Sequence, residues 1–476
     1  MVAAPLLIAF LAWTLISPPA KAEESPLGEG PQGAPSGSRK EQTWGVPVWG
    51  PNKPELSRVL EATLYQPEGN GPFPLLLMTH GTNFNNVQDA LAKDRLRRSD
   101  GVWKPTHVVD WFLKRGWAVA SLMRAGYARS GGQIAGTHGC PDPNLYNYGQ
   151  RNAHDVSAAF NFFKKQSFVR PDKILVLGQS TGGFTSLAVA AMNLDGVVGV
   201  INTAGVVRVI DKDGNECGID SLKKAVTALG KMTQTPTLWL YGVNDSFMPD
   251  NRLKALYGAY SAETAVSRLY VNQHMGRADG HFVMTYADSE RLWSQTVEEF
   301  LDEIERRPSP KAISVAAESF SPPAPGTRFI FCCGTAAGET FEHRVEESPS
   351  KDQYAWRAPN GTLIKSKLPV GFFANPPHPS LFPLSEGKTV KLTGTASGGQ
   401  KVDEVLTVEG GEQLTTPAGT FETIRIRSVA RYQGDPDRVV EQVFWYAPSL
   451  SWRVKWTFND SKTYAYSRTL VDIIKP

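Results

Sequence analysis

The stretch Lys173–Gly183, KILVLGQSTGG, decides how this 476-residue chain is read. Ile174–Leu177 is a short, continuously apolar run of strand length, and Gly178-Gln179-Ser180-Thr181-Gly182-Gly183 follows it at once. The small-residue segment Thr185–Ala191 then has the composition of a helix. A serine between a buried strand and a helix sits on a tight turn that exposes its hydroxyl. Flanking glycines keep side chains out of the bend. The following helix points the positive end of its dipole at that hydroxyl. G-x-S-x-G alone recurs by chance; its place between strand and helix makes Ser180 a candidate nucleophile.

The same alternation extends outward on both sides. Strand-length apolar runs occur at Pro74–Thr79, Trp117–Leu122, Gly196–Ile201, Thr237–Tyr241 and Arg268–Val271. Helical spacing fits His107–Lys114, Gln150–Lys165, Gly182–Met192, Asn251–Ala259 and Ser289–Ile304. Continuously apolar strands separated by helices predict an α/β fold, a mostly parallel sheet with helices on both faces. Residues 307–326 are proline-rich and read as a linker. Beyond it, segments such as Thr423–Arg431, Val439–Tyr446 and Trp452–Phe458 alternate or are aromatic and β-branched, with turn signals between them. The expected organisation is a leader over 1–22, a flexible Gly/Pro/Ser-rich lead-in over 23–54, an α/β domain over 55–306, the linker, and an antiparallel β domain over 327–476.

Composition narrows the function classes. Hydrophobic residues make up 41% of the chain, which excludes a disordered protein. A net charge of +3 without a long basic run argues against nucleic acid as a partner. Ala3–Ile16 is apolar but too short to span a bilayer, and Ala20-Lys21-Ala22 has the form of a cleavage site. The expectation is an exported protein, periplasmic or extracellular, with no stable membrane span. Four cysteines exclude a disulfide-dense scaffold. Cys140 and Cys217 could pair, whereas the adjacent Cys332 and Cys333 stay open. His138 and Cys140 lack further ligands, so no metal and no cofactor is expected. Oligomeric state is not legible.

A serine needs a base and an orienting acid. Thr237–Tyr241 ends in Gly242-Val243-Asn244-Asp245, which places Asp245 just past a late strand. Nearby Asp250 reads instead as the opening of the next helix. Ala278-Asp279-Gly280-His281-Phe282 follows the last strand, making His281 the candidate base, with His274 the runner-up and Asp279 a turn residue. Thr79-His80-Gly81-Thr82-Asn83 ends the first apolar strand. Gly81 lets this loop approach closely, so backbone N–H groups of Thr82 and Thr181 are candidate oxyanion donors. His80 reads as a packed structural histidine. The segment 124–150 offers Tyr127, Tyr146 and Tyr148 as substrate contacts, or is a plain surface loop.

The motifs HGTN, GQSTGG, YGVND and DGHF, in this order, resemble the α/β-hydrolase fold and, within it, the dienelactone hydrolase family in its broad sense. The resemblance implies nucleophile Ser180, acid Asp245, base His281 and oxyanion donors Thr82 and Thr181. Dienelactone hydrolases proper use a cysteine nucleophile; the serine here shifts the expected substrate toward small carboxylic esters. A prolyl-peptidase-like serine peptidase shares the same order of residues. A non-catalytic envelope protein is the alternative from another class. Thr416–Phe421 (TPAGTF) and Trp445–Pro448 (WYAP) resemble β-rich modules of bacterial envelope proteins, with Trp445, Trp452 and Trp456 read as core. Sequons at Asn244, Asn360 and Asn459 suit an unglycosylated product, because a glycan at Asn244 would crowd the acid.

Overall fold

The computed structural model describes residues 27–49, 56–82, 101–137, 139–264, 266–272, 278–307, 312–314, 317, 323–332, 339–347, 354–357, 361, 363–366, 379–395, 399–463 and 465–476. The leader, His138, His274 and Cys333 lie outside these residues.

The first sheet has nine strands: β1 (Gly30–Ser36), β2 (Glu41–Trp49), β3 (Leu56–Tyr65), β4 (Phe73–Thr79), β5 (Ala118–Leu122), β6 (Val169–Gln179), β7 (Val197–Thr203), β10 (Thr237–Gly242) and β11 (Ser267–Asn272). The short pair β8 (Val209–Ile210) and β9 (Glu216–Cys217) stands apart. The spatial order is β1-β2-β3-β5-β4-β6-β7-β10-β11. Pairing is antiparallel from β1 to β5 and parallel from β5 to β11. Alternate residues of each central strand feed two cores. Leu75, Leu77, Ile174 and Val176 pack under α2 (Leu145–Phe163), α3 (Thr181–Ala190), α4 (Ile219–Met232) and α5 (Asp250–Ser261). Leu76, Met78, Leu175 and Leu177 pack against α1 (Thr106–Leu113) and α6 (Glu290–Arg306). Burial on both faces is why these strands read as unbroken apolar runs. This is the α/β-hydrolase arrangement.

Two expectations about organisation need correction. The lead-in expected over 23–54 is not flexible throughout, since β1 and β2 form a hairpin on the sheet edge. Trp44, Val46 and Val48 alternate inward, and Trp44 lies 5.8–6.0 Å from the rings of Phe162, Phe163 and Phe168. That buried alternation outweighs a Gly/Pro-rich composition. Pro47 is tolerated because its stretch of β2 pairs only with β3. Within the expected linker, β12 (Ala312–Ile313) pairs with the second sheet, and buried Ala317 bridges to Leu384. Ala317 is the buried apolar residue of this stretch among those described.

The second sheet is antiparallel throughout, in the order β12-β18-β19-β20-β21-β22-β13-β14-β15-β16, with β17 (Thr389–Thr395) also on β18. It is built around the long strands β18 (Lys401–Thr416), β19 (Gly419–Tyr432), β20 (Asp435–Ala447), β21 (Trp452–Asp460) and β22 (Ala465–Ile474). β13 (Arg328–Cys332), which enters early in this sheet, lies beside its last strand, β22. The flank beyond β13 is β14 (Thr340–Glu346), β15 (Tyr354–Arg357) and β16 (Leu363–Ser366). Trp445, Trp452 and Trp456 share one buried cluster, and Trp452 stacks on Phe329 at 4.9 Å.

The two sheets meet through α2, α4 and the turn after α3. Asn161 and Asn459 exchange amide hydrogen bonds of 3.0 and 2.9 Å. The Ser467 hydroxyl donates to the Ala191 carbonyl at 2.9 Å and accepts from Asn193 at 3.2 Å. Thr463 O meets the His154 imidazole. Asp195 pairs with Arg427 at 3.2 Å and Arg425 at 3.7 Å. Burial alone would raise its carboxyl, but Arg427, Lys164 and Arg425 outweigh that and lower it.

Lys455 on β21 is fully buried, and its ammonium has no hydrogen-bond partner among the described residues. The Trp445 ring lies 4.8 Å from Nζ. Burial lowers its pKa to about 7; Glu412 opposes the shift and Arg425 adds to it. The group therefore binds a proton in the unfolded chain, but not in the folded one, between about 7 and its ordinary value of 10.5. Stability contributed by this residue rises with pH through that window and is lowest below it. Lys455→Met should raise Tm at pH 7 and flatten the rise of Tm from pH 7 to 9. Equal slopes in the two proteins, measured by calorimetry, would contradict this.

Candidate active site

The turn between β6 and α3 consists of Ser180 alone, held at φ 56° and ψ −123°. A non-glycine residue in this region carries roughly 1–3 kcal/mol of strain. The neighbouring glycines are required by contact. A Cβ on Gly178 would lie 2.0 Å from Gly182 O, and one on Gly182 would lie 2.3 Å from Thr79 O. One on Gly81 would lie 2.5 Å from Gln179 Oε1 and 2.8 Å from Ser180 Cβ. The HGT and GQSTGG loops thus pack backbone against backbone.

Three side chains from the carboxyl ends of β6, β10 and β11 converge here. His281 Nε2 lies 2.9 Å from Ser180 Oγ. His281 Nδ1 lies 3.1 Å from each oxygen of Asp245. Asp245 Oδ1 also accepts the N–H groups of Phe247 (2.8 Å) and Met248 (3.0 Å), which fixes the carboxylate's rotation. Ser180, Asp245 and His281 are all buried, and Phe247 covers the imidazole at 4.5 Å. His281 sits in a single 3₁₀ turn, Gly280–Phe282. Asp279 caps that turn by accepting His281 N–H at 2.9 Å, and it also accepts Ser246 N–H and Oγ–H. Burial works to raise the Asp279 carboxyl, but these donors lower it below the ordinary value. Asp279 is the turn residue expected of it. Asp250 is the first residue of α5, with Pro249 at the cap position.

On the other side of Ser180, the Thr82 and Thr181 hydroxyls are 3.1 Å apart. Thr181 opens α3, so its N–H is among those left without an intrahelical partner. His80 is packed and structural. Its Nε2 accepts Arg124 N–H at 3.1 Å, and Nδ1 faces Gly81 O at 2.5 Å. Burial, then the Arg124 charge, holds the imidazole well below its ordinary pKa against the Gly81 carbonyl, so it stays neutral. Tyr127 stands edge-on to it at 4.4 Å.

The segment 124–150 is not a plain surface loop. Tyr127, Tyr146 and Tyr148 are all buried, and Tyr146 and Tyr148 belong to the first turn of α2. Asn144 caps that helix by accepting Asn147 N–H at 2.9 Å, which turns the tyrosines inward. Tyr146 lines a cavity of about 760 Å³ between α2 and β22. The Cys140–Cys217 disulfide ties the preceding loop to β9. Cys332 is disulfide-bonded as well. Asn244 Nδ2 donates to Ala278 O at 2.6 Å, so this sequon, like Asn459, uses its amide nitrogen inside the protein.

Sequence reasoning missed Arg124 and Gln179. Gln179 Nε2 donates to His281 O at 3.3 Å, linking the elbow to the His281 loop. Arg124 is a fully buried guanidinium, and its only sequence signal is a charge directly after an apolar strand.

Residues 58–239 match the family of X-Pro dipeptidyl-peptidases (S15 family). Among solved structures, the chain is similar to Est1E from Butyrivibrio proteoclasticus with ferulic acid bound (18% identity, 53% of this chain and 97% of that one, TM-score 0.36). It is also similar to a putative dienelactone hydrolase from Klebsiella pneumoniae subsp. pneumoniae MGH 78578 (15% identity, 55% and 98%, TM-score 0.35). A third is the Pyrococcus furiosus esterase Pf2001 (13% identity, 58% and 99%, TM-score 0.39). No curated protein matches the chain. The sheet order, the strained serine at the elbow and the residues converging on it define a serine hydrolase of the α/β-hydrolase fold.

Proposed function

We propose that this protein is a carboxylesterase that works through an acyl-enzyme, with Ser180 as nucleophile, His281 as general base and Asp245 as its orienting acid. The observation that carries the reading is the unbroken chain from Ser180 Oγ through His281 to Asp245. Oγ attacks the ester carbonyl while His281 Nε2 takes its proton. The N–H groups of Thr82 and Thr181 stabilise the resulting oxyanion. His281 then protonates the leaving alcohol, and water repeats the cycle on the acyl-enzyme.

The match to a dipeptidyl-peptidase family favours a second reading, a serine peptidase. Such an exopeptidase needs a free carboxylate to hold the substrate's ammonium group. Asp279, the carboxylate of the His281 loop, is already engaged by Ser246 and His281 N–H and so does not fill that role. Assays on p-nitrophenyl esters of graded chain length and on X-Pro p-nitroanilides decide between the two. Faster turnover of the anilides would overturn the ester assignment.

The Cys140–Cys217 disulfide supports export to an oxidising compartment. The intact mass of protein recovered from the periplasm or medium should correspond to a chain beginning at Glu23. Full-length protein confined to the cytoplasm would rule this out.

A further inference from the structure

Arg124 is 1% exposed, yet no carboxylate bonds it among the described residues. Its guanidinium is held by neutral acceptors alone. Nε donates to Asn152 Oδ1 at 3.1 Å, Nη1 to Thr79 Oγ1 at 2.8 Å and to the His80 carbonyl, and Nη2 to Thr181 Oγ1 at 3.3 Å. An arginine does not deprotonate inside a protein, so the charge is permanent. Buried charges are ordinarily paired, because an unpaired one is costly. This one touches Thr181, whose N–H is one of the two proposed oxyanion donors.

We propose that Arg124 is a positioning residue for acyl transfer: it clamps the two segments that carry the Thr82 and Thr181 N–H groups and keeps a positive charge behind the oxyanion. The inference rests on the Ser180–His281–Asp245 reading given above. Two of its bonds fix the end of β4, which leads directly into Gly81 and Thr82. A third fixes the first residue of α3. The fourth reaches Asn152, whose own amide donates to Tyr148 O at 2.9 Å and anchors the clamp on α2. Burial raises the Tyr148 hydroxyl's pKa, against the Arg124 charge and the Thr181 and Thr82 side chains.

The charge acts wherever a tetrahedral oxyanion forms, in acylation and again in deacylation. As Ser180 Oγ bonds to the carbonyl carbon, the carbonyl π electrons move to oxygen and the hydroxyl proton passes to His281 Nε2. A neutral ester gains little from a cation behind Thr181, whereas the tetrahedral oxyanion gains much. The effect therefore falls on kcat and leaves KM nearly unchanged.

The test is steady-state ester hydrolysis by full-length Arg124→Met and Arg124→Lys, each with Tm measured. Arg124→Met should lower kcat by about 10²-fold, with KM within about threefold of wild type. Arg124→Lys should recover about tenfold of that loss, since an ammonium restores charge but cannot span all the acceptors. Affinity for a trifluoromethyl ketone, which forms an anionic adduct on the serine, should fall in parallel with kcat/KM. Wild-type kcat in Arg124→Met, or a lysine variant no better than methionine, would overturn the inference. If Arg124→Met does not fold, Thr181→Val keeps the N–H and the shape but removes the hydroxyl that Arg124 holds. It should lower kcat about tenfold, and an unchanged kcat overturns the proposal. A wild-type protein inert toward esters, peptides and a fluorophosphonate probe would instead overturn the underlying acyl-transfer reading.

Discussion

Ser180→Ala should lower kcat for ester hydrolysis by about 10³-fold or more and abolish covalent labelling by a fluorophosphonate probe. The expectation follows from the elbow. Ser180 Oγ is the group that faces His281 Nε2, and the strained backbone exists to present it there. Alanine has no atom to bond to the acyl carbon, while the N–H donors and the pocket remain. Residual activity should therefore exceed the uncatalysed rate, as it does when other triads lose one member. Alanine adopts the left-handed region no more easily than serine, so Tm should change little. An alanine variant that hydrolyses p-nitrophenyl acetate at the wild-type rate would show that the nucleophile is elsewhere.

Asp245→Asn should cost about 10³- to 10⁴-fold in kcat while leaving the fold intact. The reasoning is geometric. Oδ1 of residue 245 accepts two backbone N–H groups, from Phe247 and Met248. An asparagine must keep its oxygen in that position and so places its NH₂ where Oδ2 now lies, 3.1 Å from His281 Nδ1. Where the amide donates to Nδ1, in competition with the oxygen that lies at the same 3.1 Å, the imidazole carries its proton on Nε2, the nitrogen facing Ser180. A base already protonated toward its nucleophile cannot accept a proton from it. The pH–rate profile should show the lost activity returning in part at high pH, where hydroxide or an ionised serine replaces the base. Wild-type kcat in this variant would remove Asp245 from the proposed machinery.

Much of this was legible because it is local. Ser180 is marked by a strand, a turn and a helix within a dozen residues. Asp245 and His281 were placed by their position after late strands, and the structure brings both to Ser180. Arg124 was not legible: its meaning depends on Thr79, Asn152 and Thr181, and no spacing rule links those positions. Helix α4 was missed although Leu222, Ala225, Val226 and Leu229 have helical spacing and all are buried. The β2 alternation of Trp44, Val46 and Val48 was masked by a Gly- and Pro-rich neighbourhood. Tyr146 and Tyr148 were placed in a loop because the Asn144 cap starts α2 earlier than its apolar periodicity shows.

The seam between the sheets constrains anyone wishing to work with half of this molecule. Met192, Asn193, Leu194 and Asp195, which follow the nucleophile's own helix, lie against Val443, Thr457 and Phe458 of the second sheet. Cys332 and Ala465 even share the first sheet's core. A shortened chain ending before residue 312 would turn this lining out to solvent at the far end of the helix that Ser180 opens. Excising the catalytic half is thus a redesign problem, and transplanting it onto another tail means rebuilding the underside first.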